Sequence, residues 1–349
     1  MSFDRLYLDV IEYIFSFSDI QTLGRISQTS KGIKNVIYNQ TKDIRSERYI
    51  EKYKEDPPRL LFLKCCGKGS PLVVIRYLIS KKGVDPSINQ NQAIRWATSR
   101  GYLELLKLLL LDLRVDPSVY DNEPIRFASE NGNLEAVKLL LSDSRVDPID
   151  AGNYAIRYAS KNGHLEVVKF LLSDSRVDPS ADNNDAILRA SENGHTEVVR
   201  LLLGDPRVDP SDNNNFAIRL ASFNGHIEVV KLLLSDPRVD PASSNSYAIR
   251  WSCYNRHIDI VKLLLSDKRA NPGADSNWAI KYASKNGHLE AVSLLLSDSR
   301  VDPSDNSNLA LRLARENGHS EVEELLLSNQ RVKETMGYDL SEPGNPTYI

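Results

Sequence analysis

The chain has 349 residues, of which 41% are apolar and 26% charged, enough for two or three domains or one repeat array and too apolar for a disordered chain. Lys and Arg total 44 against 47 Asp and Glu, a formal net charge of −3, which argues against a nucleic-acid partner held by bulk positive charge. The three cysteines (Cys65, Cys66 and Cys253) give no disulfide framework, and neither a signal-type start nor a run of about 18 apolar residues is present, so the expectation is an intracellular protein, cytoplasmic or nuclear, with no membrane partner.

In chain order, residues 1–45 carry three short apolar stripes at helical spacing. These are Val10, Ile11, Ile14 and Phe15, then Ile20, Leu23 and Ile26, then Ile33, Val36 and Ile37. Residues 46–58 alternate in charge and end in Asp56-Pro57-Pro58, which reads as a charged linker and a break.

From 59 to 327 the sequence repeats. Pro86, Pro117, Pro148, Pro179, Pro210, Pro241, Pro272 and Pro303 each lie 31 residues from the next. Eight copies of a helical unit follow over 91–327, and a worn ninth precedes them through Leu63, Cys66, Leu72, Ile75 and Leu78. Each unit holds two helices. In the first, Ile156, Ala159 and Ser160 share a face, Asn153 stands where a cap belongs, and Asn162-Gly163 closes the helix. In the second, Leu165, Val168, Leu171 and Leu172 recur at helical spacing, and the polar, proline-bearing stretch between units reads as a loop or short hairpin. One pair has too little apolar surface to fold alone, so stability must come from stacking on neighbours. Glu323 and Glu324 give the last copy the polar outer face of a terminal cap, and 328–349, with Pro343, Gly344 and Pro346, reads as a disordered tail.

The run Asn286-Gly287-His288-Leu289-Glu290 through Leu294-Leu295-Leu296, present in part in every copy, resembles the second half of the ankyrin repeat, and Ala159-Ser160 matches that family's Ala-Ala pair. The unit is two residues shorter than the usual 33, with the loss in the hairpin region, and the family's Thr-Pro-Leu-His start reads x-Ala-Ile-Arg, its proline surviving at Pro124. The resemblance implies an all-α, ankyrin-type helical repeat solenoid of about nine helix-pair units, with shortened hairpins and a small N-terminal helical module. Such 31-residue variants resemble those of giant DNA viruses of amoebae. Residues Leu8 to Lys31 resemble an F-box, although the usual Leu-Pro opening reads Leu6-Tyr7 and no Trp follows Lys31. That resemblance implies recruitment of a ubiquitin-ligase adaptor, with Leu8, Ile11, Phe15 and Leu23 as the adaptor-binding residues. The same three stripes serve equally as a helical cap on the stack.

The six histidines (His164, His195, His226, His257, His288 and His319) all occupy one slot just after the first helix, which Tyr102 and Asn133 fill elsewhere. A ligand or general base is special to one place, so these read as side chains that orient the turn. Gly67-Lys68-Gly69-Ser70 lacks the earlier glycine of a phosphate loop. Cys65-Cys66 falls in the core of a helix, and the recurrent Asp-x-Arg-Val-Asp reads as an exposed ion-pair ladder. No nucleophile–base pair is legible, so no enzyme, cofactor or metal is expected.

What varies is the face of the first helix opposite the core, at slots 92, 96 and 99 and their 31-residue equivalents. Aromatic residues gather there, and Trp and Tyr are favoured interface anchors. Phe216, Phe223, Tyr247, Trp251, Tyr254, Trp278 and Tyr282 are the candidate partner-binding residues; the alternative for the middle slot, which includes Trp251, is packing between adjacent first helices. The copy from 243 to 273 also departs from the repeat, with Arg256 at the turn glycine and Ser252-Cys253 for Ala-Ser. The expectation is a monomeric, non-catalytic scaffold that binds a protein partner along the repeat face. The alternative is a substrate receptor that brings a target to a cullin–RING ligase.

Overall fold

The computed structural model describes residues 57–80 and 82–337, so the stripes and linker of 1–56, with Leu8, Ile11, Phe15 and Leu23, lie outside the described residues. Those residues form nineteen α-helices and no strand. They divide into two compact units, one up to residue 116 and one from residue 117.

The first unit contains α1 (Pro58–Lys68), α2 (Leu72–Ser80), α3 (Ile88–Ser99) and α4 (Leu103–Leu110). These are two helix pairs, α1 resting on α3 and α2 on α4. Of the worn copy's residues Leu63, Cys66, Ile75 and Leu78 are buried and Leu72 is half-buried. Gly69 closes α1 in the left-handed region, and the Ser70 N–H bonds the Cys65 carbonyl at 2.9 Å, so the Gly-Lys-Gly-Ser run is a helix C-cap.

The second unit runs α5 (Val119–Glu130), α6 (Leu134–Leu141), α7 (Asp150–Lys161), α8 (Leu165–Leu172), α9 (Ala181–Glu192), α10 (Thr196–Leu203), α11 (Asp212–Asn224) and α12 (Ile227–Leu234). It continues through α13 (Ser243–Tyr254), α14 (Ile258–Ser266), α15 (Ala274–Lys285), α16 (Leu289–Leu296), α17 (Asp305–Glu316), α18 (Ser320–Ser328) and α19 (Gln330–Thr335). Each odd-numbered helix from α5 to α15 packs on the next odd-numbered helix and on the second helix of its own pair.

One spine of side chains runs through this stack. In one copy Ala155, Ile156, Ala159, Val167, Val168, Leu171 and Val177 are each at most 1% exposed, and the same slots are buried in the other copies of this unit except at the half-buried Glu323 of the last. Leu165 and Leu172, expected in the core, are only half-buried; Val167 stands inside in their place. The tail reading also changes at its start. Gln330–Thr335 is helical and Val332 is fully buried, because Asn329-Gln330-Arg331-Val332 repeats the Asp-x-Arg-Val sequence one period further on.

The expected hairpin is absent among the described residues. In its place each first helix from α3 onward carries, within the first turn of its range, three consecutive left-handed residues, such as Asp182, Asn183 and Asn184 with φ of 56°, 57° and 59°. This conformation disfavours a Cβ by about 1–2 kcal/mol per residue, least for Asn and Asp, and the third position is Asn in every copy except that of Ser246. The asparagine is not the helix cap its position suggests. Asn184 accepts the backbone N–H of Asp209 at 2.8 Å and donates to the Asp212 carboxylate at 2.9 Å, so it ties its own copy to the next. Asn122 makes the same pair of bonds to Asp147 and Asp150, and Asn277 to Asp302 and Asp305. Short polar side chains thus offset the backbone cost with bonds between repeats.

Candidate partner-binding face

The slots that suggested chemistry are structural ties. Each histidine donates from Nε2 to a carbonyl 34 residues earlier: His164 to Glu130, His195 to Lys161, His226 to Glu192, His257 to Phe223, His288 to Tyr254 and His319 to Lys285, all at 2.9 Å. The bond therefore reaches the previous copy and satisfies the open end of its first helix, not the histidine's own turn. The ring lies so close to the preceding glycine that a Cβ on Gly163 would come within 2.5 Å of His195 Nδ1. Arg256 keeps the left-handed angle, with φ of 62°, and His288 still reaches the Tyr254 carbonyl. No group of three or more His, Cys, Asp or Glu side chains suited to a metal occurs among the described residues.

The Asp-x-Arg motifs behave similarly. Asp205 holds Arg207 through its Nε and Nη2, and Arg207 Nη1 reaches back to the Val177 carbonyl at 2.7 Å. Bonds from the arginine hold the Asp174, Asp205, Asp236, Asp267 and Asp298 carboxyls below the usual carboxylate range. Cys65, Cys66 and Cys253 are buried, and burial pushes the Cys66 and Cys253 thiols up, as expected of inert core residues.

The seven candidate partner residues lie on three neighbouring first helices, α11, α13 and α15. Trp251 is the hub. Its ring centroid is 5.5 Å from Phe223, 5.4 Å from Tyr247, 5.2 Å from Tyr254 and 5.5 Å from Trp278. Tyr254 lies 5.9 Å from Trp278 and 6.3 Å from Tyr282, and Trp278 stacks on Tyr282 at 4.1 Å. Phe223 and Tyr254 are exposed at 37% each, and the other five are half-buried. Trp251 thus does both things its slot allowed: it packs against rings of adjacent helices and keeps part of its surface in solvent.

Phe216 joins the patch through a residue the sequence reading passed over. The Arg219 guanidinium lies 5.0 Å from the Phe216 ring and 4.7 Å from the Tyr247 ring, sandwiched between them. Arg250 lies 5.3 Å from Trp278, and Lys285 Nζ 5.7 Å from Tyr282. The signal was the recurring Ile-Arg pair, visible in the unit pattern but not asked for a role.

The repeat signature supplies the family. Ankyrin-repeat family matches fall on residues 125–214, 156–245, 187–277 and 249–336, together more than half of the chain. The chain belongs to the ankyrin-repeat family. Comparison with curated proteins finds no match. Ankyrin repeats indicate a protein-interaction scaffold and are generally non-catalytic, and no catalytic family is indicated for this ankyrin-repeat protein. No helix among the described residues is long and apolar enough to cross a membrane.

Proposed function

We propose that this ankyrin-repeat protein is a non-catalytic scaffold that holds one partner protein on the first-helix face of α11, α13 and α15. The observation that carries the reading is the aromatic cluster centred on Trp251: two tryptophans, three tyrosines and two phenylalanines on one face, two of them exposed, on helices whose opposite side is fully occupied by the repeat spine. Rigid aromatics with apolar bodies and polar tips make strong anchors at low entropic cost. Crosslinking of the full chain in cells, followed by mass spectrometry, tests this. Crosslinks to a partner are expected to concentrate in 216–282; a partner linked only to other copies removes the assignment.

The resemblance of Leu8 to Lys31 to an F-box supports a second reading, in which the same scaffold is the substrate receptor of a cullin–RING ligase and Leu8, Ile11, Phe15 and Leu23 hold the adaptor. Deleting residues 1–45 should then abolish co-purification of adaptor and cullin while partner capture by the repeats persists. Unchanged co-purification would leave 1–45 as a cap.

A further inference from the structure

In three copies the cation that follows the core isoleucine of the first helix is matched by an acid in or beside the next left-handed turn. Arg157 is gripped by Asp182 at 2.6 Å and Asp185 at 2.8 Å, Arg250 pairs with Asp275, and Lys281 approaches Asp305 at 3.5 Å. Arg219, inside the aromatic patch, has no such acid. Its partner position, 25 residues on, is Ser244, and the turn there reads Ser243-Ser244-Asn245-Ser246 with no acid. The Nε of Arg126, Arg219 and Arg250 alike is buried without a hydrogen-bond partner, but Arg250 has Asp275, whereas the only bond the Arg219 guanidinium makes among the described residues is a long one, Nη1 to the Asn214 carbonyl at 3.5 Å. Burial pushes its pKa down; Tyr247 opposes the shift and the Arg250 charge adds to it.

The contrast with Arg126 sharpens this. Arg126 also lies over a ring, 5.1 Å from Tyr154, but there the Tyr154 hydroxyl donates to Glu130 at 3.1 Å, so an acid is already present. At the Arg219 site the position equivalent to Glu130 is Phe223, and the Tyr247 hydroxyl makes no hydrogen bond among the described residues. A planar fork of donors with one long bond, and a phenol with none among the described residues, stand beside an apolar shelf.

We propose that the partner on this face presents an acidic–aromatic segment: an Asp or Glu side chain that completes Arg219 and Tyr247, next to an apolar or aromatic side chain seated on Trp251 and Tyr254. The proposal rests on the partner-binding reading above and adds the chemistry of the partner. A carboxylate there would take the place that Asp275 takes for Arg250, and bidentate Arg–carboxylate pairing would fix the segment's register.

The test is selection of a random peptide display library on the full chain and on three variants. Wild type should enrich peptides with an Asp or Glu beside a Phe, Trp or Leu, and changing that acid to its amide should weaken binding about tenfold or more. Ser244→Asp restores the acid of the repeat at a left-handed position that Asp275 already tolerates, with φ of 53° and 55°. It should weaken acidic peptides by a similar factor while leaving thermal stability equal or higher. Arg219→Gln should remove the acid preference and keep the aromatic one. Phe223→Glu with Tyr254→Lys should lose both. Binders without an acid, no binders at all, or equal acidic-peptide binding by wild type and Ser244→Asp would overturn the proposal. If acidic peptides survive the Phe223→Glu and Tyr254→Lys change, the patch itself is the wrong site; if they are lost there but indifferent to Ser244→Asp and Arg219→Gln, only the carboxylate assignment fails.

Discussion

The first-helix faces of α9 and α13 are built on the same backbone and turned to opposite ends. On α9, Asp185 accepts from Arg157 at 2.8 Å and from Arg189 at 3.0 Å, and Arg189 also approaches Glu192 at 3.7 Å, so charge is neutralised within the chain. On α13 the three equivalent positions are Tyr247, Trp251 and Tyr254, and the nearby Arg219 has no acid. Beneath both, the core is the same: Ala186 and Ile187 in one, Ala248 and Ile249 in the other, each at most 1% exposed. A repeat whose stability resides in the spine leaves its outward slots free, and one stretch of this chain closes its outer face with ion pairs while another leaves it open to a partner.

That comparison can be broken at several levels. The largest effects belong to the shared spine. Leu171→Ala and Leu233→Ala, both fully buried, should each destabilise the protein by about 3 kcal/mol in urea unfolding. A large difference between them would mean that the two stretches do not share one core. Next are the left-handed turns. Asn184→Ala removes a backbone tie and a carboxylate bond and should cost about 2 kcal/mol, whereas Ser246→Asn, which suits the left-handed backbone and shortens the 3.3 Å bond that Ser246 accepts from the Asn271 N–H, should gain at most about 1 kcal/mol. The outward cations should then separate the two stretches. Arg157→Met leaves Asp182 without its partner and Asp185 with Arg189 alone, and should cost about 1 kcal/mol, while Arg219→Met should change stability by less than about 0.5 kcal/mol because no carboxylate is abandoned.

The smallest effects per site come from the Asp-x-Arg ladder. Because bonds from arginine hold these carboxyls below their ordinary range, their stabilisation is fully present above the unfolded carboxylate value and is lost as pH falls through the folded one. The melting temperature should be flat from about pH 5 upward and decline below about pH 4. Each pair is partly exposed and contributes at most about 1 kcal/mol, so Arg300→Gln alone should be hard to detect while the acid decline of the whole array is not.

Much of this was legible because a 31-residue period reports packing directly. The eight prolines and the Ala-Ile and Leu-Leu-Leu slots fixed helix pairs, spine and outer face, and the seven aromatics came together where the angular arithmetic put them. What escaped were details that share one residue chemistry with another role. Asparagine suits both a helix cap and a left-handed backbone, so the sequence offered Asn153 as a cap when it is a tie to Asp178. The histidine slot read as structural, but its acceptor lies 34 residues back, a relation visible only once the repeats are stacked. The unmatched state of Arg219 was hidden for the same reason: that its partner position is Ser244 follows from how one turn faces the preceding helix, not from anything adjacent in the chain.

The account stands most directly on exchanging Phe223 and Tyr254 for residues that the same slot carries in other copies. Phe223→Glu with Tyr254→Lys copies Glu192 and Lys285 and leaves the backbone carbonyls that His257 and His288 bond. Quantitative binding of the crosslinked partner, measured beside urea unfolding, should fall at least about tenfold while stability shifts by less than about 1 kcal/mol. Undiminished binding by a folded double variant would contradict the assignment of this face.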